Sequence, residues 1–339
     1  MNNYFIGIMT GTSADALDGC IVSFDNGFKF IESTSIKLEG EYKEHYEECI
    51  KSGYKEITDS VKLLNLENKL NTETIKLIKE LVNKSNINIS KISSVGFSGQ
   101  TVFHNYEKSY QIGDPSFIAK ETNIDVWSDF RNFDIKNGGM GAPLIPSFHN
   151  YLFSETDKNK LVLNIGGIAN GTYLEGGQIK IASDIGPGNC LIDFVMSERF
   201  KNPFDNKGEK ASKGKINEKL FGRLINECSD MKYPRADDKQ TYYNLIDNSF
   251  YEIPANSVLR TLSEFTSEKI KDFYEYCKEP QEVVIHGGGT ENTFLMSLIE
   301  NKISGIVKTT EEKIPSKFVE SAGFAYLAYL EKGEIFLAK

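Results

Sequence analysis

The sequence predicts an α/β protein built from two halves of similar design. The first observation is a pair of strand, glycine turn, strand units, one in each half, at Tyr4 to Phe24 and Leu161 to Leu174. In each unit an apolar run breaks at glycines and small polar residues and then resumes, which is the pattern of a β-hairpin. The second observation is an alternation of short apolar strands with amphipathic helices. The 339 residues suffice for about two domains, each with its own core.

The rest of the first half alternates helix and strand. Thr58 to Lys84 carries apolar residues at helical spacing, which predicts one or two surface helices. Ile92 to Gly99 is an apolar run that ends at glycine and predicts a buried strand. Asp114 and Pro115 form a typical N-cap and N1 pair, so we expect a short helix there, followed by a strand at Asp125 to Ser128.

The second half continues the alternation after its hairpin. The predicted elements are a helix that begins after Gly186 to Asn189 and runs through Phe200, a long helix at Ala255 to Tyr276, a strand and glycine turn at Val283 to Gly289, a helix at Glu291 to Asn301, and a last helix at Pro315 to Gly333. The last helix carries small residues on one face, which predicts close packing against another helix: Ser321, Ala322, Ala325 and Ala328.

Composition favours a globular protein with small-molecule ligands. The net charge is −9 and no block of consecutive Lys or Arg occurs, so we expect neither a nucleic-acid partner nor an anionic membrane surface. No apolar run approaches the roughly 18 residues of a membrane span, and we expect the mature chain to begin at Met1. The five cysteines are scattered without a C-x-x-C pair, which predicts a reduced, cytoplasmic protein with neither a disulfide framework nor a zinc knuckle.

Several catalytic motifs are absent, which narrows the chemistry. The chain has no G-x-x-x-x-G-K-[ST] phosphate loop, and GFSGQ (Gly96 to Gln100) does not match the G-x-S-x-G nucleophile elbow. The four histidines are far apart in sequence, so they are expected in the core or on the surface rather than on a metal. If phosphates bind, glycine hairpins and helix N-termini must hold them, together with Mg²⁺ on carboxylates and water.

Eight segments resemble the anhydro-N-acetylmuramic acid kinase family, within the superfamily of actin, sugar kinases and Hsp70. They are Met9 to Asp18, Ser98 to His104, Gln111 to Ala119, Asp129 to His149, Leu163 to Asn170, Asp184 to Asn189, His286 to Asn292 and Phe318 to Ala328. Each glycine motif alone is weak, whereas eight in the family's order along nearly the whole chain are specific.

The resemblance implies two RNase H-like lobes with ATP in the cleft between them. It places the first lobe at residues 1–137 plus about 325–339 and the second at 138–324, with the boundary near Gly138. The first phosphate loop then comprises Gly11, Thr12, Ser13, Ala14, Asp15, Ala16, Leu17 and Asp18. The second comprises Gly166, Gly167 and Asn170.

The HGGG turn acquires a ligand by the same resemblance. Gly287, Gly288 and Gly289, with Asn292, are expected to approach the adenosine of ATP. Taken alone, a run of three glycines is as well explained by a tight connection between strand and helix.

The family's reaction opens the 1,6-anhydro bridge of 1,6-anhydro-N-acetylmuramic acid with water and phosphorylates the freed O6 from ATP. The resemblance assigns the general base to Asp184 in the segment DIGPGN. The alternative is that Asp184 caps the helix that follows. The resemblance also implies a homodimer that works in peptidoglycan recycling.

Asp15 and Asp18 lie in the first phosphate loop, where carboxylates repel phosphate unless Mg²⁺ or its waters intervene. We therefore predict that they hold Mg²⁺ through water, with turn capping as the alternative. The hydroxyls of Thr12 and Ser13 are predicted to donate to phosphate.

The sugar contacts implied by the family motifs are Gln100, Thr101, His104, Asp114, Arg131 and Glu320. Arg131 is the candidate cation for the lactyl carboxylate of the substrate. The alternative for Arg131 is a surface ion pair with Asp129 or Asp134.

Some positions depart from the family pattern. Ala16 stands where glycine is usual, Ser98 stands where histidine is usual, and Arg235 to Asn244 replaces a Lys-Ser-Thr-Gly segment. Two other functions therefore stay open: a kinase of another anhydro- or amino sugar, such as levoglucosan, and a catalytically silent ATP-binding module.

Overall fold

A computed structural model of the protein describes residues 3–11, 13–38, 40–52 and 61–339. The chain packs into two compact units, the first formed by Met1–Phe148 and Lys313–Lys339 and the second by His149–Glu312. Thr12 of the first predicted loop and residues 58–60 of the first predicted helix lie outside the described residues.

In its described residues the first unit holds a six-stranded sheet in the order β13-β7-β4-β1-β2-β3. Strands β1 to β3 are antiparallel neighbours, β4 and β7 run parallel to β1, and β13 closes the edge antiparallel to β7. A separate hairpin of β5 and β6 lies beside it. The strands are β1 (Tyr4–Thr10), β2 (Ala16–Ser23), β3 (Lys29–Lys37), β4 (Ile92–Phe97), β5 (Gln100–His104), β6 (Ser109–Ile112), β7 (Val126–Ser128) and β13 (Glu334–Phe336).

The described part of the second unit repeats the same plan with five strands, in the order β10-β9-β8-β11-β12. Again three antiparallel strands come first and two parallel strands follow. The strands are β8 (Lys160–Ile165), β9 (Ile168–Glu175), β10 (Gln178–Pro187), β11 (Glu282–His286) and β12 (Ile306–Thr309). This shared order is the one expected of two RNase H-like lobes, and both predicted hairpins are confirmed.

The α-helices of the described residues are α1 (Tyr42–Ser52), α2 (Val61–Ser85), α3 (Pro115–Thr122), α4 (Phe130–Lys136), α5 (Pro146–Phe153), α6 (Cys190–Phe200), α7 (Glu218–Glu227), α8 (Lys239–Tyr243), α9 (Ser249–Glu252), α10 (Ala255–Tyr276), α11 (Thr293–Lys302) and α12 (Val319–Tyr329). Six of these helices lie close to predicted positions, namely α2, α3, α6, α10, α11 and α12, and the other six were not predicted. None of the α-helices in the described residues has the length and apolar character needed to cross a membrane.

The small face of α12 packs on the sheet of the first unit, not on another helix as its sequence suggested. A Cβ on Gly7 of β1 would lie 1.7 Å from the carbonyl oxygen of Ser321, and one on Gly96 of β4 would lie 2.1 Å from that of Phe324. Strand glycines and the small helix residues thus meet backbone to backbone, which explains why both are small.

The limits of the units differ from the predicted lobes by about one helix. Residues 138–148 and 313–324 belong to the first unit, whereas the sequence placed them in the second lobe. The ring of Phe148 lies 5.6 Å from that of Phe28 and 5.5 Å from that of Tyr326. Ile145 also packs directly over Gly323. These apolar contacts explain why the glycine-rich stretch Asn137 to Pro146 belongs to the first unit.

Candidate nucleotide and sugar site

The first predicted phosphate loop is the turn between β1 and β2. The N–H of Ala14 donates to the carbonyl of Gly11 at 3.0 Å, and Ala14 holds a left-handed φ of 52° with its methyl group buried. The Ser13 hydroxyl donates to the carboxylate of Asp15, whose side chain is exposed. Leu17 is fully buried in the core, so its side chain supports the loop from inside. Ala16 begins β2.

Gln100 braces this loop from the start of β5. Its Oε1 accepts from the hydroxyl of Thr10 at 2.8 Å, and its Nε2 donates to the carbonyl of Gly11 at 3.0 Å. The residue has no exposed surface. Gln100 was predicted as a sugar contact, and its amide instead fixes the end of β1 and the first residue of the loop. Ser98 also serves the backbone, since its Oγ accepts from the N–H of Thr10.

Asp18 on β2 is held by two partners in the first unit. Its Oδ1 accepts from the Ser35 hydroxyl at 2.6 Å and lies 3.1 Å from Nζ of Lys317. Burial raises the pKa of Asp18, while Ser35 and Lys317 oppose that rise. The Asp18 carboxylate therefore has a counter-charge in Lys317, and the sequence prediction that Asp15 and Asp18 hold Mg²⁺ through water stays a prediction.

The second predicted phosphate loop is the turn at Gly166 and Gly167 between β8 and β9. Its carbonyls accept hydrogen bonds from the start of α6: Asn189 N–H binds Gly166 at 2.9 Å, and Cys190 N–H binds Gly167 at 3.0 Å. A Cβ on Gly188 would lie 2.3 Å from the carbonyl oxygen of Gly166. The loop and the helix N-terminus therefore form one rigid block.

The glycine turn after β11 packs against the end of β8. Gly287 has a φ of 90°, and a Cβ on it would lie 2.3 Å from Oδ1 of Asn164. A Cβ on Gly289 would lie 2.3 Å from Cγ2 of Ile165. For these two glycines the tight connection alone is a sufficient reason. Asn292 caps α11, because its Oδ1 accepts from the N–H of Leu295 at 3.0 Å.

Three other glycines in these turns have no such reason in the fold. A Cβ on Gly11 or Gly166 would make only ordinary contacts at 3.5 Å or more, and one on Gly288 would meet nothing within 4 Å. None of the three has a left-handed φ. At these positions a Cβ would occupy the space that a ligand needs in order to approach the backbone.

Asp184 lies on β10 at a bulge where the register with β9 shifts. It pairs with Asn170 on β9, another predicted nucleotide contact. Its carboxylate is buried, and Oδ2 accepts from the main-chain N–H of Asp237 at 2.7 Å. The cap of the following helix is Asn189, five residues later, so capping does not explain Asp184.

Residues 233–238 were not predicted to lie at this site, yet they run along β10 beside Asp184. The Asp184 N–H donates to the carbonyl of Arg235 at 3.0 Å, and the Arg235 N–H donates to Oγ of Ser183 at 3.0 Å. The one signal in the sequence was the departure of this segment from the family pattern, which by itself gave no location.

The other predicted sugar contacts lie in the first unit. Thr101 and His104 share β5 with Gln100, and the Tyr46 hydroxyl donates to the carbonyl of Thr101 at 2.6 Å. Arg131 Nη1 donates to the carbonyl of Gly141 at 3.0 Å. The same Gly141 lies against the imidazole of His104, since a Cβ there would be 2.8 Å from Cε1. Arg131 and His104 are thus neighbours.

The two remaining candidates begin helices. Asp114 caps α3 by accepting from the N–H of Phe117 at 2.9 Å, as its place before Pro115 predicted. Its own N–H donates to Asn71. Glu320 lies in the first turn of α12.

Comparison with known proteins decides the family. The family model described as anhydro-N-acetylmuramic acid kinase matches residues 3–335. The chain belongs to the anhydro-N-acetylmuramic acid kinase family. Proteins named anhydro-N-acetylmuramic acid kinase share 34% identity in the gamma-proteobacterium EBAC31A08 and in Photobacterium profundum, and 35% in Shewanella putrefaciens. Each of these matches covers 96% of this chain and 91% of the relative.

The fold of this family member is also found among solved structures. Component A of (R)-2-hydroxyglutaryl-CoA dehydratase from Acidaminococcus fermentans aligns over 97% of this chain and 99% of its own, with a TM-score of 0.51 at 11% identity. The architecture is therefore the two-lobed actin-like α/β fold.

A kinase of this family uses ATP with Mg²⁺, and the residues present fit both. The three open glycines lie in the turns predicted to meet the nucleotide, and Asp15 and Asp18 supply the carboxylate oxygens that Mg²⁺ prefers.

Proposed function

We propose that the protein opens 1,6-anhydro-N-acetylmuramic acid with water and phosphorylates the freed O6, giving N-acetylmuramic acid 6-phosphate for peptidoglycan recycling. The observation that carries the proposal is Asp184, a buried carboxylate at a strand bulge that is bound by a main-chain N–H and is not a helix cap.

Asp184 would act as the general base on the attacking water. The water oxygen forms a bond to C1 as its proton passes to the carboxylate, and the C1–O6 bond of the bridge breaks. The freed O6 forms a bond to the γ-phosphorus, ADP leaves, and the proton on Asp184 returns to solvent. A buried carboxylate suits this step because few waters compete for it.

The glycine turns would hold the nucleotide. Backbone N–H groups at the first and second loops would meet the phosphates, with the hydroxyls of Thr12 and Ser13, and the Gly287 to Gly289 turn would meet adenosine. Mg-ATP supplies the phosphoryl group. Asp15 and Asp18 would hold its Mg²⁺ through water, with Lys317 balancing the charge of Asp18.

The sugar would be held by side chains of the first unit. Arg131 is the proposed partner of the lactyl carboxylate, with His104 beside it and Thr101 on the same strand. Asp114 and Glu320 complete the proposed set. Gln100 would act through the loop that it braces.

Mass spectrometry of the product tests the reaction. Incubation with Mg-ATP and the anhydro sugar in oxygen-18 water should give a product heavier by one water and one phosphoryl group, with the label on the sugar. Asp184→Asn should lower the rate by at least about a hundredfold, whereas Asp247→Asn, a surface carboxylate, should not. Undiminished turnover by Asp184→Asn would exclude this base.

The same assay on other sugars separates the alternatives. Faster turnover of a sugar without the lactyl group would assign another substrate, and ATP binding without transfer to any sugar would indicate a silent module. Ser98, which stands where the family usually has histidine, uses its hydroxyl in hydrogen bonds with the main chain of Thr10 and Gly99. Because this substitution contacts the first loop, it favours the main proposal over a different sugar.

We propose that the protein is a homodimer, which the resemblance to the family supports. We also propose that it is cytoplasmic, which the scattered cysteines support. Sedimentation equilibrium would measure the mass in solution, for which the monomer value is 38.1 kDa.

A further inference from the structure

We propose that Arg235, Asp237 and Tyr242 form a positioning network that sets the orientation and the proton affinity of Asp184. This inference rests on the proposed function of Asp184 as the base. It assigns a role to the segment of the chain that departs from the family pattern.

The main chain of Asp184 is hydrogen-bonded to the segment 233–238. Strand β10 forms the edge of its sheet, and its register with β9 shifts at the bulge between Asp184 and Gly186, so the outer side of the Asp184 main chain needs a partner from outside the sheet. Arg235 supplies it, since its carbonyl accepts from the Asp184 N–H. The Ser183 hydroxyl accepts from the Arg235 N–H and donates to the Asp184 carbonyl at 2.7 Å. Residues 233–238 are therefore in fixed register with the base.

The same segment also contacts the carboxylate of Asp184 directly. The main-chain N–H of Asp237 donates to Oδ2 of Asp184 at 2.7 Å. A donor to a carboxylate favours its ionised form and restricts rotation of the side chain. The position of this one N–H thus influences both where the base points and at which pH it takes a proton.

The N–H of Asp237 stays in place because the side chain of the same residue is held by hydrogen bonds. The side chain of Asp237 is held through Oδ2, which accepts from Nε of Arg235 at 2.8 Å and from the Tyr242 hydroxyl at 2.5 Å. Arg235 Nη2 also donates to the carbonyl of Ile185, the residue after the base. Three groups from β10, the 233–238 segment and α8 are thereby tied together.

The protonation states suit this arrangement. Burial disfavours the charged guanidinium of Arg235, but its bonds to Asp237 outweigh burial and raise its pKa. Burial, followed by the charge of Asp237, raises the pKa of Tyr242, so the hydroxyl stays a donor. Arg235 and Tyr242 therefore both remain hydrogen-bond donors in the pH range in which a carboxylate base titrates.

Stability alone does not account for the network. Arg235 is 7% exposed and the Asp237 side chain 10%, and buried ion pairs often stabilise a fold less than apolar residues of the same size. Nη1 of Arg235 is also buried without a hydrogen-bond partner in the described part of the chain. An incompletely satisfied pair beside the base is better explained by positioning.

The charged groups on the elements packed against β10 include Lys239 on α8 and the pair Lys269 and Asp272 on α10, joined at 2.8 Å, and none of them is changed in the test variants.

The test compares kcat, KM and the pH profile of the wild type with those of Arg235→Met and Tyr242→Phe. Both variants loosen Asp237, so the acid limb of kcat/KM should move up by about one pH unit and kcat should fall about tenfold. The KM for ATP should stay within about twofold. Arg235→Lys should restore part of the limb shift, because it returns the charge.

Arg223→Met is the matched control. Arg223 also binds a backbone carbonyl, that of Leu245 at 3.0 Å, and a carboxylate, that of Asp247 at 3.2 Å, but on the surface. It should leave the acid limb and kcat unchanged. A fall of kcat in the two test variants without any limb shift would show a general loss of structure and overturn the proposal.

A readout that needs no turnover keeps this inference separate from the proposed function. Carbon-13 NMR of protein labelled at the aspartate carboxyl carbons, with Asp184→Asn to assign the signal, gives the titration midpoint of the base. The midpoint should rise in Tyr242→Phe, a variant that removes one hydroxyl and keeps the ring in the core. An unchanged midpoint contradicts the network even if the enzyme is active, and a shifted midpoint supports it even if the anhydro sugar is not turned over.

Discussion

At the scale of single residues, Gln100 has a structural role that its family motif did not suggest. Its position in the motif predicted a sugar contact. The structure gives both polar atoms of its amide to Thr10 and Gly11, with no exposed surface left. The side chain therefore fixes the geometry of the turn between β1 and β2.

We predict that Gln100→Leu destabilises the protein and weakens nucleotide binding. The apolar side chain leaves the Thr10 hydroxyl and the Gly11 carbonyl without partners, which costs about 2 to 4 kcal/mol. KM for ATP should rise more than kcat falls, because the loop loses its brace. Urea denaturation and steady-state kinetics measure the two effects. Gln178→Leu, an exposed position, should change neither, and a similar loss there would contradict the explanation.

A second residue-scale feature is a buried chain of histidines behind the HGGG turn. His149 Nδ1 lies 2.9 Å from the Thr172 hydroxyl, and Nε2 of His149 lies 3.0 Å from Nε2 of His286. Burial lowers the pKa of His149 to about 3, and burial followed by the charge of His149 lowers that of His286 well below its usual range. Both rings are therefore neutral at pH 7.

We predict that this pair makes the protein lose stability as the pH falls from about 6.5 towards 3. In this window the unfolded chain binds a proton at each of the two histidines, whereas the folded protein does not. Each histidine therefore lowers the free energy of unfolding by up to about 1.4 kcal/mol per pH unit. His149→Gln should remove one proton from the slope of the unfolding free energy against pH. Gln178→Leu, which removes no titratable group, should leave the slope as it is. Equal slopes in all three proteins would refute the prediction.

At the scale of elements, the glycine turns divide into those that the fold requires and those that it does not. Gly287 combines a left-handed φ with a close approach to Asn164, whereas Gly288 faces open space. Sequence alone presents the two as equivalent.

We predict that Gly287→Ala and Gly288→Ala have opposite signatures. Gly287→Ala should destabilise by more than about 2 kcal/mol, from strain and from the clash. Gly288→Ala should leave stability unchanged or slightly higher and raise KM for ATP, because the methyl group takes ligand space. Gly222→Ala, whose Cβ also meets nothing within 4 Å, controls for the substitution itself. A Gly288→Ala protein with unaltered KM would place adenosine elsewhere.

Several elements with a clear period were predicted, and several others were missed. The hairpins and the helix Ala255–Tyr276 appear where the apolar spacing put them. The strand Lys29–Lys37 was missed because its sequence is mostly polar and half-exposed, and the short pair β5 and β6 because five and four residues carry little period. These gaps matter, since β5 supplies Gln100.

At the scale of the whole molecule, sequence predicted two lobes of one design because each contains the same hairpin. It did not predict the limits, since the contacts of Phe148 and Ile145 with the first unit join residues far apart in the chain. It also did not predict that residues 233–238 lie along β10, because that contact joins Ser183 and Arg235, which are 52 residues apart in the chain. Local patterns thus gave the plan, and tertiary contacts gave the surroundings of Asp184.

The five cysteines, distributed over both units, allow the stability of the molecule to be followed at five places. All are at most 4% exposed, and burial raises the pKa of Cys20, Cys190 and Cys277 to about 12. Because the thiolate is the reactive form, we predict that each reacts with a thiol reagent only when the chain around it opens. Mass spectrometry of peptides from native and urea-unfolded protein measures the five rates separately.

Mg-ATP at about 100 times its dissociation constant should slow every cysteine that reacts through global unfolding by about a hundredfold. A cysteine that reacts through local opening should be slowed less, unless the opening disrupts the nucleotide loops. Cys190 is bound to the second loop, since its N–H donates to the carbonyl of Gly167, and Cys277 lies at the far end of α10, so the two form a matched pair within one unit. Stronger protection of Cys190 would show that ATP holds the block of loop and helix, whereas rapid labelling of either thiol in the native protein would contradict its burial.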